Sequence, residues 1–194
     1  MKETGTIFGT ESVQAILNNR KAMTRRLRGL EKANKSPSDW YLADFGYLVH
    51  HNPLISSLKP KCPYGQVGDR LWVRETWWRD QSGGCWGYKA EGREWPPSNC
   101  GGKAMSSIFM PRWASRITLE ITDIRVERLQ EITEEDAWAE GCSPTDTLAY
   151  QMSAYPSWNG KLRFKELWDS LNAKRGYGWD KNPWVWVISF RRLQ

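Results

Sequence analysis

Lys21 and Thr24 lie three apart in Arg20-Lys21-Ala22-Met23-Thr24-Arg25-Arg26-Leu27-Arg28, the most basic stretch of the chain. On a turn or helical segment that spacing puts both side chains on one side, whereas an ideal strand points them to opposite faces. A threonine hydroxyl becomes a nucleophile once a base removes its proton, and a lysine serves as that base when its charged form is disfavoured. Burial, or neighbouring cations such as Arg20, Arg25, Arg26 and Arg28, would do so. The same pattern also reads as a solvated basic face on a loop. Glu140 is the second candidate. It falls at the C-terminal end of a short predicted helix, where the macrodipole disfavours a negative charge by roughly 0.3–1 kcal/mol. A carboxylate there can relay a proton or pair with Lys21, or it can simply mark a solvated helix end. Glu75 is the third. In Trp72-Val73-Arg74-Glu75-Thr76-Trp77, alternation puts it on the face of Val73, so it either lines a cleft or ion-pairs with an arginine.

Other residues carry less chemistry. His50-His51 has no companion ligands at metal spacing, and the four cysteines at 62, 85, 100 and 142 include no C-x-x-C pair. No metal site is expected from either. Walker-type and Rossmann glycine patterns are absent, which argues against nucleoside-triphosphatase and dinucleotide chemistry. No cofactor is expected.

Several elements must position these residues. Thr4 to Phe8 reads as a short strand. Thr10 offers an N-cap to a helix whose stripe is Val13, Ile16 and Leu17, and Asn18-Asn19 reads as its stop. Residues 29–62, with Pro37, Pro53 and Pro60, read as a polar irregular insertion. Tyr64 to Asp69 is turn chemistry leading into a strand over Arg70 to Trp77, with another over Trp86 to Ala90 and a loop from Glu91 to Pro111. Ser115 to Arg128 alternates, but Ile124 and Val126 fall out of phase with Ile117, Leu119 and Ile121. That shift predicts a bulge near Thr122-Asp123. Thr133 caps a short helix closed by Gly141, and a second helix spans Leu162 to Ala173 with Phe164, Leu167, Trp168 and Leu171 on one face. Trp184 to Phe190 is a closing strand. Few helices and a bent central strand predict an α+β fold built on a small curled β-barrel rather than a parallel sheet.

Composition bounds the rest. The 194 residues suit one domain, and 40% hydrophobic with 26% charged residues is a globular balance. The net charge of +6 fits an anionic partner such as a nucleotide or nucleic acid, or an ordinary soluble surface. Met1-Lys2-Glu3-Thr4 has no signal-like apolar run, and Trp184 to Ile188 is too short to span a bilayer. A cytoplasmic protein without membrane contact is expected. Among thirteen tryptophans, Trp72, Trp184 and Trp186 interleave with aliphatic residues as core does. Trp95 and Trp158, in Gly/Pro-rich loops, could stack on a base.

Taken in order, the segments resemble the ASCH family, whose fold is similar to the PUA domain of RNA-modifying proteins. The resemblance rests on Ile16-Leu17-Asn18-Asn19-Arg20-Lys21-Ala22-Met23-Thr24-Arg25-Arg26, a helix end followed by K-x-x-T-x-R. It continues in Val67-Gly68-Asp69-Arg70-Leu71-Trp72-Val73, in Ile132 through Gly141, and in Val185-Trp186-Val187-Ile188-Ser189-Phe190. It implies a single ASCH/PUA-like domain over residues 1–194 with insertions near 29–62, 78–111 and 142–160; the tryptophan-rich loops also resemble phage-encoded members. Some small bacterial ASCH proteins are amidohydrolases that remove the acetyl group from N4-acetylcytidine. Their lysine, threonine and glutamate fall on Lys21, Thr24 and Glu140, while Ala22 stands where a threonine is common. The resemblance thus implies metal-independent hydrolysis of an N4-acylated cytosine nucleoside, with Arg26 and Glu75 positioning the ligand and no obligate protein partner. Two alternatives stay open: a PUA-like module that binds RNA or a modified base without catalysis, and a ribonuclease.

Overall fold

The computed structural model describes residues 1–80, 86–92, 103–142 and 159–193. Ten strands and three α-helices are present among them. In chain order these are β1 (Glu3–Ile7), α1 (Thr10–Leu17), β2 (Met23–Arg26), β3 (Trp40–Ala43), β4 (Tyr47–His50), β5 (Arg70–Arg74) and β6 (Trp77–Arg79). Then come β7 (Trp86–Tyr88), β8 (Lys103–Met105), β9 (Thr118–Arg128), α2 (Glu134–Ala139), α3 (Gly160–Asn172) and β10 (Trp184–Arg192). Trp95, Trp158, Cys85 and Cys100 lie outside the described residues, as does much of the sequence expected as insertions near 78–111 and 142–160.

The principal sheet runs β1-β5-β9-β10-β2, with β1 parallel to β5 and the other pairs antiparallel. Among the described residues its ends, β1 and β2, are not hydrogen-bonded to one another as strands, and the closure expected of a barrel is not shown. A side chain spans the gap instead: Arg26 on β2 donates to the Ile7 carbonyl of β1 at 2.8 Å. Two smaller sheets, β3-β4 and β7-β6-β8, complete the strands.

β10 has core on both faces, which is why its sequence reads as a continuous apolar run. Trp184, Trp186, Ile188 and Phe190 join Leu71, Val73, Leu119, Ile121 and the α1 stripe of Val13 and Ile16. Val185 and Val187 turn the other way, toward Met23, Ala137, Phe164 and Trp168. Each fully buried side chain of this kind contributes about 1.5–3 kcal/mol. The second cluster clamps α2 and α3 onto the back of β10 and β2.

The predicted bulge is present. Ser189 pairs with Asp123 but Phe190 pairs with Ile121, so Thr122 is the extra residue on β9. Asn19 ends α1 in the left-handed region at φ 57°, as an asparagine tolerates. The Thr133 side chain accepts from Asp136 N at 3.1 Å and caps α2. Other expectations shift. Gly9, not Thr10, holds the N-cap position of α1 and makes no side-chain cap. The strand expected over Arg70 to Trp77 breaks at Glu75-Thr76, where Glu75 N turns to the Met110 sulfur at 3.3 Å.

Residues 29–62 are less irregular than their polarity implies. Leu30, Ala33, Trp40 and Leu48 are buried in the first core cluster, and β3 and β4 form a hairpin. Asn34 acts as a surrogate strand partner for Trp184, accepting from its N–H at 2.7 Å and donating to its carbonyl at 2.9 Å. Buried backbone polar groups need such partners, and this amide supplies two at once.

Candidate active site

The turn after α1 sets the first residue of the site. Asn19 reverses the chain, and the Ala15 carbonyl accepts from both Arg20 N (2.8 Å) and Lys21 N (3.1 Å). Lys21 then forms an isolated antiparallel bridge with Glu140, and Ala22 N donates to the Ala139 carbonyl at 2.8 Å. The end of α2 is thereby stitched, backbone to backbone, to the segment that begins β2. The geometry requires a close approach at Gly141. Its φ is +93°, and a Cβ there would lie 3.2 Å from Ala15 Cβ and 3.5 Å from Lys21 Cβ.

Two positions 119 residues apart in sequence thus meet through buried side chains. Lys21 Nζ lies 2.6 Å from Glu140 Oε2 and donates to the Glu140 carbonyl at 2.7 Å. Each side chain is only 4% exposed. A charge pair removed from water is held together only when further hydrogen bonds satisfy it. The second lysine contact is one of these; Arg25 supplies another, its Nη1 lying 3.5 Å from Glu140 Oε1. Arg25 is itself fully buried and is fixed by Asp136 Oδ2 at 2.5 Å and Glu127 Oε1 at 3.3 Å. Arg125 reaches the same two carboxylates, at 2.7 and 2.9 Å. Its guanidinium is held above its ordinary range: Glu127 and Asp136 raise it although burial, the largest single effect, lowers it. Asp136 and Glu140 are four apart and share one face of α2, which is how a short helix presents both to Arg25.

Thr24 belongs to β2, not to a turn. It is 4% exposed and opposite Ile188 of β10. Alternation along β2 sends Thr24 and Arg26 toward the side of Ile188 and Trp186, and Met23 and Arg25 toward α3. Regular strand structure starts at Met23, so the alternation rule does not extend back to Lys21. Lys21, Thr24, Arg25, Arg26 and Glu140 all line one cavity of about 440 Å³ along the free edge of β2. That volume lies within the range of about 300–1,000 Å³ usual for small-molecule sites. Phe8, Phe164 and Trp168 supply apolar wall, and Tyr64, Arg28 and Arg175 complete one part of the rim. A smaller hollow of about 310 Å³ shares Ser12, Glu140 and Leu167 with it and adds Cys142.

Arg26 lies 4.8 Å over the Phe8 ring and faces the cavity while bonding Ile7. Burial pushes its guanidinium below the ordinary range, with Tyr64 and Glu140 opposing. Glu75 is placed elsewhere. It is 1% exposed, shares the buried face of Val73, and receives Arg116 at 3.0 and 3.1 Å through Nε and Nη2. It does not line the cavity. The ion-pair reading of this residue fits its position, and the ligand-binding one does not. Burial pushes its carboxyl up while Arg116 pulls it down, and burial prevails. His50 faces Asp39 at 3.9 Å. Among the described residues, no group of three or more histidine, cysteine or acidic side chains could hold a metal.

Sequence reasoning treated Arg25 only as a source of charge and did not single out Tyr64, Phe164 or Arg175. Its one clue to Arg25 was the i, i+4 acidic pair on α2. Cys142 sits beside Lys21 and Glu140, and burial pushes its thiol up to about 11. A thiol so disfavoured as thiolate is a poor rival nucleophile.

No family model and no curated protein matches the chain. Among solved structures it is similar to the crystal structure of an ASCH domain from Lactobacillus crispatus. The likeness has 13% sequence identity and a TM-score of 0.41, covering 98% of this chain and 79% of that one. No described helix is long and apolar enough to cross a membrane.

Proposed function

We propose that the protein is an amidohydrolase that removes the acyl group from N4-acylated cytosine nucleosides, of the N4-acetylcytidine type. The observation that carries this reading is the buried Lys21–Glu140 pair, 2.6 Å apart, in a cavity that Thr24 also lines. The ordered ASCH-like segments give the reading its substrate. Those segments supplied the three residues, and the cavity that all three line supports reading them together.

In the proposed reaction Glu140 takes a proton from the Lys21 ammonium, and the resulting amine takes the proton of the Thr24 hydroxyl. Thr24 Oγ1 attacks the amide carbonyl, and the C–N bond breaks as Glu140 returns its proton to the departing N4 amine. An incoming water then cleaves the threonyl ester by the same groups in reverse, releasing the carboxylic acid and regenerating Thr24. Acid–base assistance of this kind gives about 100- to 10,000-fold, with orientation supplying the rest. Arg25 holds the Glu140 carboxylate through its Oε1 oxygen at 3.5 Å, and Arg26 positions the ligand.

The test is release of cytidine from N4-acetylcytidine by purified protein, with and without chelator. Turnover that survives chelator and is lost in Lys21→Ala, Thr24→Ala and Glu140→Ala supports the reading. Activity retained in all three variants removes the site. A second reading, ligand binding without catalysis, draws on the arginines around the cavity; salt-dependent RNA binding with no turnover of acylated cytidine would favour it.

A further inference from the structure

The charges around the cavity do not balance. Its lining carries Lys21, Arg25, Arg26, Arg28 and Arg175 against a single carboxylate, Glu140. Lys21 is matched by Glu140, and Arg25 by Asp136 and Glu127. Arg26, Arg28 and Arg175 have no carboxylate within ion-pair distance among the described residues, although Glu31 is near enough to feel Arg28. Their positions converge. All three guanidinium groups act electrostatically on the Tyr64 hydroxyl, pulling it down against the burial that raises it. Arg26 is anchored by Ile7 O and Arg175 Nη1 by Asn172 Oδ1 at 3.2 Å, while Arg26 Nε is buried with no partner.

Three cations gathered around one phenol, with an unsatisfied N–H among them, constitute a site short of an anion. A phosphate monoester meets that need, because it offers several acceptor oxygens and a charge that guanidinium groups match in geometry as well as sign. The reacting pair and this cluster line the same cavity, so a ligand that reaches one is within reach of the other.

We propose that Arg26, Arg28, Arg175 and Tyr64 form a subsite for a sugar-linked phosphate, so that the substrate is an N4-acylated cytosine nucleotide rather than the free nucleoside. This rests on the deacylase reading for its chemistry, but the anion subsite itself does not.

The experiment has a turnover arm and a binding arm, each run on the wild type and on Arg28→Ala/Arg175→Ala, two exposed positions. Turnover compares N4-acetylcytidine, its 5′-monophosphate and a short oligonucleotide carrying the same base. Binding compares cytidine with cytidine 5′-monophosphate by calorimetry at low and high salt. The monophosphate is expected to be preferred by about tenfold or more in kcat/KM and in affinity, the effect of one charge-assisted hydrogen bond. The preference should shrink with salt and approach unity in the double variant. An oligonucleotide preferred over the monophosphate would identify a polynucleotide as the source of the phosphate; the reverse would identify a free nucleotide. If no acylated compound is hydrolysed but cytidine 5′-monophosphate still binds tenfold tighter than cytidine, the deacylase reading fails and the subsite stands. Equal handling of phosphorylated and unphosphorylated ligands by the wild type overturns the subsite, as does a preference unchanged in the double variant.

Discussion

Replacing Glu140 with alanine tests the centre of the site most directly. The substitution removes the carboxylate that lies 2.6 Å from Lys21 Nζ but keeps the backbone carbonyl that accepts from it at 2.7 Å. Arg25 keeps Asp136 and Glu127. One buried ammonium therefore loses its counter-charge but not every acceptor, and the cost should fall near the lower end of the 3–5 kcal/mol seen when one partner of a buried pair is removed, about 3 kcal/mol. For a chain of this size each kcal/mol is about 2–4 °C in Tm, so a fall of roughly 6–12 °C is expected. Glu140→Gln separates stability from chemistry. Its amide oxygen can still accept from Lys21, so the loss of stability should be smaller, while proton transfer is abolished and turnover of N4-acetylcytidine should drop at least about 100-fold. Urea denaturation of Glu140→Ala, Lys21→Met and the double variant completes a cycle in which the double should cost clearly less than the sum. Additive single effects, or a Glu140→Ala variant within about 0.5 kcal/mol of wild type, would show that the pair does not hold the site together.

Three further outcomes are expected. Gly141→Ala places a side chain at φ +93° and 3.2 Å from Ala15 Cβ; it should cost about 1–2 kcal/mol in urea denaturation and lower turnover by moving Glu140 off Lys21. Cys142, with its thiol pushed from an ordinary 9.0 up to about 11, should be alkylated by iodoacetamide about a hundredfold more slowly than a free thiol at pH 8, and peptide-resolved mass spectrometry reads this. Glu75 has a carboxyl raised by burial, so its contribution to stability is whole below the unfolded-state value and is lost as pH rises through the folded-state value. Glu75→Gln cannot ionise and should therefore lose less stability than wild type as pH rises above the ordinary carboxylate range in parallel denaturation curves.

Local signals were legible where a residue type answers a local geometric need. Asn19 adopts the left-handed conformation that stops α1, Thr133 caps α2, and the phase slip between Ile121 and Ile124 marks the extra residue Thr122. The insertion was not legible in the same way. Trp40 and Leu48 are core, but they lie on two separate strands of four residues each, too short to show a period of their own. The break at Glu75 was hidden as well, because it depends on Met110 and Arg116, both more than thirty residues away.

The candidate site divides along the same line. Residue chemistry singled out Lys21, Thr24 and Glu140 as candidates, because a hydroxyl, an amine and a carboxylate are chemically conspicuous, and the resemblance of the ordered segments gave them roles and added Arg26. Only the tertiary structure decided that Lys21 and Glu140 share a buried ion pair, that Thr24 and Arg26 open onto the same cavity, and that Glu75 does not. It also gave Arg25 its place between two acidic elements and gathered Arg175, from the turn that follows α3, to Arg26 and Arg28. Spacing along a chain constrains which side chains share a face of one element, whereas contacts between β2, α2 and α3 are set by how Val185, Val187, Phe164 and Trp168 pack. That packing is a property of the whole core, and no short segment encodes it.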